Sequence, residues 1–195
     1  TSTELSDRAM TRSLITATEA KTAALMDLDI RSSYQPLRYR ATGTGTDNII
    51  VVKGQGRAVT LTGGHSKMGE LIAGAVYDAV KEAVNRQNRI TASRHLVTRL
   101  KERGLSLFEL ASDVDCTCMN QNHIEVSAFA KAVEHAVLDP AAAGFLHAAF
   151  GVSDDYEKGL ISDLSLYEKG CLTAASSIAG RPVAVIENLV NTDKD

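Results

Sequence analysis

SKMGELIAGAVYDAVKEAVNRQN, residues 66–88, decides the first half of the chain. Met68, Leu71, Ile72, Ala75, Val76, Ala79, Val80, Ala83 and Val84 recur at spacings of three and four, the period of an α-helix with one apolar face. Ser66 stands where its hydroxyl caps the first free N–H groups. So wide a stripe must lie on another element. One candidate is a helix over residues 5–29, capped by Ser6 or Asp7, with Leu14, Ala17, Ala20 or Lys21, Ala24, Leu25 and Leu28 at helical spacing. The other is a sheet. Residues 49–53 and 57–62 are β-rich, and Gly54-Gln55-Gly56 between them reads as a hairpin loop, so an antiparallel pair is expected. Residues 31–40, with Pro36, read as a loop.

After residue 93 each strong pattern is helical: 93–103 ending at Gly104, 105–112, 124–138 ending before Pro140, 141–150, 153–177 and 182–190. The fold class is therefore α+β, a small antiparallel sheet packed by long helices and followed by a mostly helical C-terminal half. The boundaries are 1–90 for the α/β region and 91–195 for the helical region. Two strands alone are marginal in water. Either further strands of this chain, or a second copy of the chain or a segment upstream, is expected to complete the sheet.

Composition narrows the function. At 195 residues and 44% hydrophobic, the chain suits one domain, with or without a helical extension. A net charge of -3 argues against a phosphate-tracking surface, so no nucleic-acid partner is expected. No apolar run approaches the ~20 residues needed to span a bilayer, and no secretion leader is evident, which points to a cytoplasmic protein without a membrane partner. Cys116, Cys118 and Cys171 are an odd number, read as reduced thiols. Cys116 and Cys118 with Asn120 and His123 offer too few ligands for zinc, so no metal site is expected. His135 and His147 read as structural, and Glu157, Lys158, Glu168 and Lys169 as a solvated face. The chain begins at Thr1; an N-terminal threonine can be a nucleophile, but "STELSD" looks like a helix approach and trimming is the expected origin.

Three stretches could carry chemistry. In ATGTGTDNIIVVKG, residues 41–54, Gly43 and Gly45 open one side of the backbone while Thr44, Thr46 and Asp47 set hydroxyls beside a carboxylate. That arrangement suits a polar ligand or an activated hydroxyl, and equally a glycine bulge in which threonine satisfies β propensity. In TGGHSKMGELI, residues 62–72, Gly63 and Gly64 turn the chain, His65 follows, and Ser66 starts a helix whose N–H groups favour an anion or oxyanion. Lys67 and Glu70 fall in its first turns, where Glu70 also complements the helix dipole. The ordinary alternative is a loop histidine bonded to a carbonyl. In TATEAKTAAL, residues 16–25, Thr18, Lys21 and Thr22 share a stripe from which Glu19 turns away, and a solvated helix face accounts for them.

Taken together, ITATEAKTAAL, ATGTGTDNIIVV and GGHSKMGELIAGAVYDAVKEAV, in this order and spacing, resemble the adenosylcobinamide amidohydrolase family over about residues 5–88. The resemblance implies a corrinoid-salvage enzyme that hydrolyses the aminopropanol amide of (adenosyl)cobinamide to (adenosyl)cobyric acid. Cobalt would enter only as part of the corrinoid substrate, with no other cofactor. The positions matching the family's motifs are Glu19, Lys21, Gly43, Thr44, Gly45, Thr46, Asp47, Gly63, Gly64, His65, Lys67 and Glu70. On this reading His65 or Asp47 is the base, Thr44 or Thr46 the nucleophile or a substrate contact, and the helix start at Ser66 the oxyanion site. The threonine segment and the histidine turn are expected to share one pocket. The rival readings are a corrinoid-binding module without hydrolysis and an interaction protein.

Overall fold

A computed structural model describes residues 2–112 and 125–183, in two units, Thr1–Arg94 and His95–Asp195. The first contains β1 (Glu4–Leu5), α1 (Asp7–Asp27), β2 (Ala58–Val59) and α2 (Lys67–Asn88). Ser6 starts α1 by accepting a hydrogen bond from the Ala9 amide at 3.2 Å. The buried face of α1 is mostly small: Ala9, Ser13, Thr16, Ala17, Ala20 and Ala24. Small residues let a second helix come close, and α2 packs along α1. Its Ile72, Val76, Val80 and Val84 row is half-buried, whereas Leu71, expected in the same stripe, is exposed. Leu14, expected on the apolar face of α1, is also exposed. Tyr77 of α2 donates to the Asp27 carboxylate at the end of α1, at 2.6 Å.

The expected antiparallel hairpin is not formed. β1 pairs with β2 in parallel, Glu4 opposite Ala58 and Leu5 opposite Val59. The Glu4 amide donates to the Arg57 carbonyl and the Ser6 amide to the Val59 carbonyl, both at 3.1 Å. Gly54 and Gly56, read as a turn, donate instead to the Thr3 and Ser2 carbonyls at 2.7 and 2.8 Å. A Cβ on Gly56 would stand 2.5 Å from the Ser2 carbonyl oxygen, so this glycine serves the close approach of a second backbone rather than a reversal. A parallel pair needs a long crossover, and here the crossover includes α1. Residues 49–53 form no strand, and Ile50 is 87% exposed.

Beyond α1 the chain turns through Asp29, whose φ of 53° lies in the left-handed region. Its buried carboxylate pairs with Arg31 at 2.7 Å and Arg40 at 3.1 Å. Residues 31 and 40 form an isolated antiparallel bridge within the stretch read as loop. Arg94 donates to the Leu28 carbonyl and, at 2.8 Å, to that of Asp29. Arg94 and Arg40, which donates to the Met26 carbonyl at 3.4 Å, thus sit at the C-terminal end of α1, where they offset the negative end of its dipole.

The second unit contains α3 (Leu96–Glu102), α4 (Leu107–Ser112), α5 (Val126–Val137), α6 (Pro140–Glu157) and α7 (Ser165–Ala179). Leu96, Leu100 and Phe150 form its core, flanked by Leu107, Val137 and Leu146. The Arg103 guanidinium lies 4.0 Å from the Phe150 ring centre and beside the buried Asp154 carboxylate. Arg99 and His147 are within hydrogen-bond reach at 3.1 Å, consistent with a structural histidine. Two helical expectations are corrected. The helix expected at 141–150 begins one residue earlier, where Asp139 caps the Ala141 amide at 3.0 Å, and continues to Glu157. The helix expected at 153–177 is broken by Gly159, whose φ of +72° is left-handed, and resumes where Asp163 accepts from the Ser165 amide at 2.8 Å. Residues 182 and 183 are not helical, and the rest of the helix expected at 182–190 lies outside the described residues. So do Cys116, Cys118, Asn120 and His123. The α+β class, mostly helical, stands. Among the described residues no single helix is long and apolar enough to cross a membrane.

Candidate functional site

The histidine turn is held to α1 by one buried threonine. Thr62 donates its hydroxyl to the Ala9 carbonyl at 2.6 Å, and its own carbonyl accepts from Thr16 at 2.9 Å. The chain then turns through Gly63 and Gly64, with the Ser66 amide returning to the Gly63 carbonyl at 2.9 Å. The Ser66 hydroxyl accepts from the Gly69 amide at 3.1 Å and lies 2.8 Å from the Gly63 carbonyl, so it is engaged in capping α2. Gly69 is what lets α2 approach: a Cβ there would stand 2.0 Å from the Gly63 oxygen and 2.7 Å from that of Thr62. His65 is exposed, and its ring makes no hydrogen bond among the described residues.

Gly63, Gly64, His65 and Ser66 form one wall of a hollow of about 570 Å³; Arg8 and Arg12 of α1 face them. Lys67 and Glu70 are off this hollow, exposed and paired with each other at 2.9 Å.

The threonine segment forms a second cluster. Asp47 accepts from the Thr44 amide at 2.7 Å, from the Thr44 hydroxyl at 2.9 Å and from the Lys21 ammonium at 2.5 Å. The Lys21 hydrogen bond, then the two from Thr44, lower the Asp47 pKa from 3.8 to about 2. The Thr46 hydroxyl lies 3.5 Å from that of Thr44. A Cβ on Gly43 would fall 2.6 Å from the Asp47 carboxylate and 2.9 Å from the Lys21 ammonium, so glycine leaves room for the ion pair, whereas Gly45 faces open space. Thr22 donates to the Thr42 carbonyl at 2.9 Å, tying the segment to α1. Glu19 lines a neighbouring hollow of about 620 Å³ with Thr18 and Thr22, and Ile15 borders both hollows.

The two motifs thus share α1 but do not share a hollow. None of Gly43, Thr44, Gly45, Thr46 and Asp47 lies on the wall of the one that holds His65. Arg12 and Lys21, the α1 residues beside each motif, are nine positions apart, which is about 13 Å along the axis and about half a turn around it. The structure brings Lys21, Thr44, Thr46 and Asp47 together, and separately gathers Gly63, Gly64, His65 and Ser66.

Arg8, Arg12, Thr16, Thr62 and Gly69 were not singled out from the sequence. The spacing of Arg8 and Arg12, four apart on a helix, was the available signal for those two. Nothing in the sequence marks Gly69 as a contact rather than a weak point in a helix. Among the described residues no group of three or more His, Cys, Asp or Glu side chains converges as a metal site would.

Residues 1–92 match the family model of CbiZ, adenosylcobinamide amidohydrolase. That stretch is the histidine-turn and threonine-segment region, and the first unit nearly in full. An uncharacterized protein of Methanocaldococcus jannaschii is 57% identical over 90 residues, which are 46% of this chain and 35% of its own length. The chain therefore spans about a third of the curated relative it matches. No solved structure matches the chain significantly.

Proposed function

We propose that this chain carries the site of an adenosylcobinamide amidohydrolase, hydrolysing the aminopropanol amide of (adenosyl)cobinamide to (adenosyl)cobyric acid in cobamide salvage. The observation that supports it is the family match over residues 1–92, which falls on the segments that build the hollow around His65. In this scheme a water attacks the amide carbonyl in the hollow. His65 accepts the water's proton as the C–O bond forms, and returns it to the departing amine nitrogen as the C–N bond breaks. The tetrahedral oxyanion lies toward the start of α2, where the backbone and helix dipole favour negative charge. The Ser66 hydroxyl is occupied by capping, so its part is to shape that helix start.

Asp47, with a pKa of about 2, is ionised but a weak base, because proton affinity falls with pKa. Its proposed part is to hold Lys21, Thr44 and Thr46 as a polar contact surface for the corrinoid's side arms. Gly43 and Gly45 belong to that surface, and Glu19 borders it. Gly63 and Gly64 let the substrate near the backbone, while Lys67 and Glu70, outside the hollow, meet the parts of the corrinoid that extend beyond it. No cofactor acts in this scheme, cobalt entering within the substrate, and the setting is the cytoplasm.

Incubation of the full chain with adenosylcobinamide, followed by mass spectrometry, tests the proposal: adenosylcobyric acid with free aminopropanol supports it. A second reading, a corrinoid-binding module without hydrolysis, is favoured by the His65 ring, which has no hydrogen-bonding partner among the described residues to orient it as a base. Unchanged cobinamide with a shifted visible spectrum would select that reading.

A further inference from the structure

We propose that Arg8 and Arg12 form an oxyanion-recognition pair in the His65 hollow and receive the carboxylate that amide hydrolysis releases there. The proposal rests on the amidohydrolase reading for the identity of the ligand. Arg8 and Arg12 stand one helical turn apart on α1 and line the same hollow as His65. Among the described residues neither is paired with a carboxylate or bonded to another group. Like charges at this spacing repel and slightly destabilise a helix, so two unneutralised arginines beside a hollow are what an anionic ligand would relieve. The Arg12 side chain is close to the turn, its Nε 3.1 Å from where a Gly63 Cβ would stand. The absence of that Cβ leaves room for the Arg12 side chain against the turn that carries His65. Guanidinium donors match the paired oxygens of a carboxylate. They would hold the acid product more tightly than the neutral amide.

Inorganic phosphate is the simple probe and cobyric acid the specific one. In the full chain, phosphate should shift the backbone amide resonances of residues 63–69, and cobyric acid should bind roughly tenfold or more tightly than cobinamide, the scale of a charge-assisted pair. Arg8→Gln with Arg12→Gln should abolish both effects without lowering the melting temperature, because both side chains are exposed and their mutual repulsion is removed. Arg12→Lys should retain part of the phosphate response. Equal phosphate shifts in the double variant, shifts dispersed over other basic surfaces, or no preference for the acid would overturn the pair. Failure of hydrolysis alone would leave the phosphate and acid arms intact, so the two ideas fail separately.

Discussion

Replacing Gly69 by alanine sets two effects of opposite sign against each other. Alanine in a helix interior is favoured over glycine by about 0.8–1 kcal/mol. At position 69, however, the new methyl would stand 2.0 Å from the Gly63 carbonyl oxygen and 2.5 Å from its carbon, both backbone atoms. Ordinary carbon–oxygen contacts begin near ~3.3 Å, so α2 or the turn must move by about 1 Å. Forced repacking of this kind costs about 1–3 kcal/mol, and the buried Thr62 anchor limits how the turn can yield. The expected outcome for Gly69→Ala is a net loss of up to about 2 kcal/mol. Gly74→Ala, in the same helix and facing open space, is expected to gain about 0.5–1 kcal/mol. Thermal unfolding followed by circular dichroism should then separate the two variants by several degrees, since about 1 kcal/mol moves the midpoint by roughly 4–8 °C in a unit of this size. A Gly69→Ala variant as stable as Gly74→Ala would refute the close approach of α2 to the turn, and with it the way the hollow is built.

Three further outcomes follow from particular contacts. Asp47 has a folded pKa of about 2, below its ordinary 3.8, so the stability it contributes is present above about pH 4 and lost as pH falls toward 2; acid unfolding of Asp47→Asn against wild type should show their difference closing in that window. Because the carboxylate is 30% exposed, that difference at neutral pH should be about 1 kcal/mol or less by urea titration. Thr62→Val removes a buried donor from the Ala9 carbonyl and should lower stability by about 1 kcal/mol, measured the same way. Arg94→Ala leaves the Leu28 and Asp29 carbonyls without their guanidinium partner and should cost about 1.5–3 kcal/mol, with the faster amide exchange concentrated at the end of α1.

The parts legible in the sequence were those set by neighbours a few positions away. The two long helices of the first unit and their serine caps follow from three- and four-residue spacing, and the structure places Ser6 and Ser66 in those roles. The sheet was not legible in the same way. Residues 49–53 have strand-forming side chains, yet strand pairing is decided by which backbone arrives alongside, and here residues 2–5 take the place beside 54–59. The break at Gly159 depends on a left-handed backbone that helical periodicity does not encode. At the candidate site the sequence identified the side chains of the turn and the threonine segment. Which of them face one hollow depended on their positions around α1, and the arginines opposite His65 became visible only with the helix in place.

The central claim, amide hydrolysis at His65, is tested most directly by single-turnover mass spectrometry of adenosylcobinamide with the full chain and with its His65→Ala variant. Adenosylcobyric acid and aminopropanol are expected from the unaltered chain, and a rate lower by at least ~10² in the variant. No acid from the unaltered chain, or an undiminished rate in the variant, would contradict it.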